Sequence, residues 1–94
     1  MSVASTTAGA PLVPPTASAV VYNLTVADTV GTGFLGLFPA GTIWQGNSSI
    51  NWFTSGELVA NGGIVALGGD RQITVICGGG GSTNFIVDVT GYFL

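Results

Sequence analysis

From residue 19 onward, apolar and polar side chains alternate with a period of two, and turn residues break the alternation about every ten positions. That rhythm restricts the chain to short strands, because a helix needs apolar residues recurring at every third or fourth position and no segment offers them. Val20, Tyr22, Leu24 and Val26 share one side of a first strand, with Val21, Asn23 and Thr25 on the other. A second strand runs from Gly33 to Phe38 and stops at Pro39-Ala40-Gly41, where Pro fixes φ and Gly permits a reversal. Ser49–Phe53 makes a brief third. Glu57–Ala60 and Ile64–Leu67 flank Asn61-Gly62-Gly63, which serves either as a hairpin turn or as a bulge within one long strand. Ile73, Val75 and Cys77 then line one side of a strand beginning near Arg71, and Phe85, Val87 and Val89 face inward from a last one over Asn84–Thr90.

About six to eight such strands predict an all-β fold, an antiparallel β-sandwich of jelly-roll or Ig-like kind with essentially no helix. Sixteen glycines suit its turns and bulges. The 94 residues suffice for one domain with one modest core and show no internal repeat. Residues 19–94 are expected to form the sandwich.

Residues 1–18 differ in composition: Ala, Ser, Thr and Val with three prolines and no sustained period. They are expected to form an extended arm reaching about 50 Å at ~3.1 Å per residue, long enough to touch a neighbouring subunit. Pro11, Leu12, Val13, Pro14 and Pro15 are its candidate contact residues. The same stretch has no Lys or Arg for a charged n-region and does not read as a secretory signal, so synthesis in a cytoplasm is expected.

Charge excludes more than it suggests. Charged residues make up 5% of the chain, against about 25% in an ordinary soluble domain, while 47% of the residues are apolar. Ionic groups this sparse do not keep apolar surface dispersed, which predicts a protein covered by neighbours when at work. One basic residue, Arg71, cannot make the patch that phosphate binding requires, so no nucleic-acid partner is expected. No apolar run spans a bilayer. With no His and a single Cys, the usual zinc sets and an intrachain disulfide are out of reach, and no metal or cofactor is expected.

Catalysis finds no footing either. Serines need an adjacent base, and the chain has neither His nor Lys. Asp28 and Asp70 sit in turn contexts and Glu57 opens a strand, while Asp88 lies in a strand on the face opposite Phe85 and Val87. Asp88 is read as structural, with Arg71 the one cation available to pair with it, and Tyr92 as structural beside them. Cys77 continues the apolar face of Ile73 and Val75 and is expected to be a buried, inert thiol. The run Gly78–Gly81 precedes a strand rather than a helix, which makes it a hairpin connection and not a phosphate loop. Asn23-Leu24-Thr25 and Asn47-Ser48-Ser49 are glycan-acceptor triplets of a short, structural kind.

Large aromatics remain. Trp44, in a polar loop no strand claims, and Trp52 are candidate subunit-interface anchors. Core packing and a sugar-binding platform shared with Phe53 and Tyr92 are the alternatives.

Ala19-Val20-Val21-Tyr22-Asn23-Leu24-Thr25-Val26 and Ile86-Val87-Asp88-Val89-Thr90-Gly91-Tyr92-Phe93 resemble the two ends of a small all-β module of actinobacterial cell-surface and secreted proteins. Gly33–Gly41, Ser49–Phe53 and Val59-Ala60-Asn61 look like its internal landmarks. The module usually occurs as repeated copies behind a secretion signal, and similar domains look at home on virions of phages that infect actinobacteria. A single copy without an export route suggests the virion. The resemblance therefore implies a non-enzymatic capsid decoration (cement) protein on the capsid surface. Its partners would be the major capsid protein and copies of itself, as a homotrimer. A carbohydrate- or cell-surface-binding module, on a virion tail or fibre or on a secreted adhesin, is the alternative, with surface glycans as partner.

Overall fold

A computed structural model describes residues 13–94, the side chain of Asp70 excepted. Six strands follow one another: β1 (Ala19–Val30), β2 (Gly33–Pro39), β3 (Ile50–Trp52), β4 (Val59–Ala66), β5 (Ile73–Gly78) and β6 (Ser82–Phe93). A single 3-10 turn, Gly69–Arg71, precedes β5. They form two three-stranded antiparallel sheets in the orders β4-β1-β6 and β3-β2-β5. The expected all-β, sandwich-like architecture is present.

The core forms where the period-two pattern places it. Val20, Leu24 and Val26 are wholly buried and Tyr22 nearly so, and they meet Leu35, Leu37, Ile50, Trp52, Val65 and Ile73. Each such side chain contributes roughly 1.5–3 kcal/mol on leaving water. The core begins before residue 19: Val13 and Ala17 belong to it. The turn they sit on is closed by the Ala17 amide on the Pro14 carbonyl at 3.0 Å, and Ser18 N–H reaches the Phe93 carbonyl at 2.7 Å. Residues 13–18 thus cap one end of the sandwich, and the rest of the expected arm lies outside the described residues.

Two bulges set the faces. Between Ala27 and Val30, β1 carries one residue more than β6, and Asp28 takes φ 52° there. The extra residue turns Thr29 inward. Near the other end β6 carries the extra residue, Thr90, which returns Tyr92 to the inner face opposite Val20.

Asn61-Gly62-Gly63 is neither a turn nor a bulge. It lies in regular register opposite Leu24, Asn23 and Tyr22 within β4. At Gly63 a Cβ would stand 2.5 Å from the Tyr22 hydroxyl, so the missing side chain is what seats that ring. Gly78–Gly81 is not a hairpin connection, because β5 and β6 belong to different sheets and the glycines cross from one to the other.

Candidate functional site

One side of the sandwich is closed. There β4 lies against β2 and β3, and Asn61 Nδ2 donates to the Ser49 carbonyl at 2.9 Å. The opposite side, between β5 and β6, has no comparable contact. Phe85 pairs with fully buried Val26, and Tyr92 with fully buried Val20, yet the two are 42% and 49% exposed. Cys77, across from buried Leu35, is exposed as well. The expectation of a buried thiol is therefore corrected: its position in the alternation is inward, but none of the described strands covers it.

The outer face of β4-β1-β6 is the second feature. Register places Ala66, Ala19 and Phe93 in one row, Ile64, Val21 and Gly91 in the next, then Gly62, Asn23 and Asp88, then Ala60, Thr25 and Ile86. Ile64, Ile86 and Phe93 are 63%, 58% and 48% exposed around small central residues. Asp88 is the one charge in these rows. With strands about 4.8 Å apart and ~3.3 Å per residue, the face measures roughly 14 by 27 Å, near 400 Å².

Trp44 and Trp52 part company. Trp52 is fully buried, with its indole N–H on the Val30 carbonyl at 3.4 Å. That placement corrects the interface reading, since nothing of the ring reaches a partner. Trp44 lies half-buried over the outer face of the other sheet, stacked on Phe34 with centroids 5.5 Å apart and planes 19° apart. Its Nε1 donates to the Asn47 carbonyl at 2.9 Å, and a Cβ on Gly36 would come within 3.1 Å of that nitrogen. Trp44 is thus held by its own domain, with one ring face taken. Trp44, core Trp52 and Tyr92 on the other sheet do not come together as a sugar platform.

Of the arm residues, Pro11 and Leu12 lie outside the described residues. Val13 is buried at 2% exposure, Pro14 is half-buried and Pro15 exposed. Arg71, itself at φ 55°, donates from Nη1 to the Val13 carbonyl at 2.8 Å. Asp88 sits opposite Asn23 instead, and no ion pair joins it to Arg71. The guanidinium serves a backbone carbonyl at the sandwich end, far along the strand from Asp88. Among the described residues no three metal-ligating side chains converge, no cavity opens, and no helix is long and apolar enough to cross a membrane.

The outward apolar residues Ile64 and Ile86 escaped the sequence reading, which followed the inner set. The signal was present in Val20-Val21 and Phe85-Ile86, adjacent apolar pairs that put hydrocarbon on both faces of one strand. No protein-family profile, curated protein or solved structure matches the chain.

Proposed function

We propose that this chain is a non-enzymatic structural component of a virion, a capsid decoration protein that attaches through apolar surface. The outer face of β4-β1-β6 carries the reading: about 400 Å² in which Phe93, Ile64, Ile86, Val21 and small residues surround Asn23, Thr25 and a single carboxylate, Asp88. Contiguous apolar patches of several hundred Å² mark interaction sites on soluble domains. A standard interface takes about 800 Å² from each partner, so this face supplies about half of one. Exposed Ile43, Phe53 and Leu58, at 82%, 76% and 76%, offer further contact area in the loops. Attachment as a homotrimer would let each copy use one face on its neighbour and another on the shell. The resemblance of the β1 and β6 segments to modules found on virions of phages that infect actinobacteria supports the choice of assembly.

Quantitative mass spectrometry of purified particles tests the reading. Hundreds of copies per particle are expected for decoration. A handful would reassign the chain to the tail, and complete absence from particles would end the virion reading.

A further inference from the structure

Each row across the outer face of β4-β1-β6 has a large side chain at one end and a small one at the other. Phe93 on β6 shares its row with Ala66 on β4, and Ile86 shares its row with Ala60. The order reverses in the row of Gly91 and Ile64, and Asp88 lies in the row of Gly62. We propose that a second copy of this chain covers the face, the two sheets stacked about a twofold axis that runs along β1. The inference shares with the virion reading only the premise that this face is a contact surface, and it names the occupant.

A closed contact between two copies uses the same patch on both. Stacked sheets keep their strand directions nearly aligned, so the axis lies in the interface, either along the strands or across them. An axis along β1 exchanges the two ends of every row. Phe93 then meets the partner's Ala66, Ile64 the partner's Gly91, Ile86 the partner's Ala60 and Asp88 the partner's Gly62. Large meets small in all four rows. An axis across the strands instead sets Phe93 against the partner's Ile86 and Ala66 against the partner's Ala60, which collides along one strand and leaves a gap along another. The first arrangement also keeps the one charge of the face from its own image. With strands about 4.8 Å and sheets about 10 Å apart, the two Asp88 stand roughly 14 Å from each other, beyond the ~8 Å Debye length at physiological salt.

Gly62 and Gly91 point the same way independently. Neither takes a positive φ, and a Cβ on either would come no nearer than 3.6 Å to the adjoining strand. Beside Gly91 the bulge residue Thr90 holds its hydroxyl on the Val21 carbonyl at 3.3 Å, down against the sheet. One chain therefore has room for a side chain at both glycines, unlike Gly63, where the Tyr22 ring fills the space. Glycine inside a strand weakens it and often marks the close approach of another group. In the dimer those groups are the partner's Asp88 and the partner's Ile64. Two faces of about 400 Å² bring about 800 Å² together, below the ~1,200 Å² at which stable interfaces begin, so a reversible dimer with a dissociation constant of about 1–100 µM is expected. Ile43 and Phe53, in the loops after β2 and β3, are left for contact with a shell.

Sedimentation equilibrium of the full chain from about 1 µM to about 1 mM tests the dimer away from any particle. Gly91→Ile sets a second large side chain against the partner's Ile64 and is expected to weaken association by about tenfold or more. Adding Ile64→Ala to the same chain reopens the space and should restore association to within about threefold of the parent. Circular dichroism and thermal unfolding check that each variant folds, as the room at Gly91 and the 63% exposure of Ile64 allow. Gly62→Asp provides a second route: it opposes the partner's Asp88 with a like charge, weakening the dimer, and Asp88→Asn in the same chain should reverse the loss. A chain that stays monomeric to about 1 mM, a trimer mass, or association indifferent to both Gly91→Ile and Gly62→Asp would overturn the proposal. So would weakening that neither double variant rescues, because the axis would then lie elsewhere. Copy number on particles enters none of these outcomes, so the dimer and the virion reading fail separately.

Discussion

Thr29 is the one buried polar side chain among the described residues, at 2% exposure. Its hydroxyl donates to the Thr54 carbonyl and accepts the Glu57 amide, both at 2.8 Å, while its own carbonyl accepts Gly56 N–H at 2.8 Å. One residue thereby anchors the whole connection from β3 to β4. Thr29→Val keeps the volume and removes both hydroxyl bonds, leaving a carbonyl and an amide unpaired at about 1–3 kcal/mol. Thermal unfolding should shift down by about 4–8 °C for each kcal/mol in a domain of this size. Thr29→Ser retains the bonds and is expected to lose less than half as much. Nothing in the sequence marks this threonine among its many neighbours of the same type. Its role depends on an inward turn that a strict period of two assigns to Asp28 instead.

Asp28 illustrates what the elements add. Read by alternation, β1 ends near Val26 and Asp28 belongs to a turn; in the structure the strand continues through a bulge to Val30. Asp tolerates the left-handed conformation better than most residues, and a β-branched side chain tolerates it poorly. Asp28→Gly is expected to leave the unfolding free energy from urea titration within about 1 kcal/mol of the parent, and Asp28→Val to cost about 1–2 kcal/mol more than Asp28→Gly. The inner faces of β1, β5 and β6 were readable from apolar alternation alone, because burial on one side of a pleat imposes that period. The fate of Asn61-Gly62-Gly63 was not, since the reason for a glycine there is the Tyr22 ring on a strand some forty residues earlier. Trp52 was misassigned for a related cause. A short strand with one tryptophan reads the same whether its ring faces the core or a partner.

At the scale of the whole molecule, the contact surface proposed above is mostly apolar, with Asp88 its one charge, so salt has little to screen. Pelleting with purified particles is expected to vary less than about twofold between roughly 0.05 and 0.5 M salt, where the Debye length shrinks to a few ångströms. A loss of tenfold or more would assign attachment to charges and not to the apolar face. The composition pointed to apolar surface; which strands carry it needed the register, because Ile64 and Ile86 lie 22 residues apart in the chain and flank β1 opposite Val21 and Thr25.

The pairing of Ala19 with Phe93 joins the first of the described strands to the last. While the chain is being made, at about 5–20 residues per second, β1 spends several seconds as an uncovered ribbon of valine, leucine and tyrosine, because its partner has not been translated. Nascent copies on one messenger are then the nearest source of matching strands, and each copy can close on itself only once its own β6 has emerged.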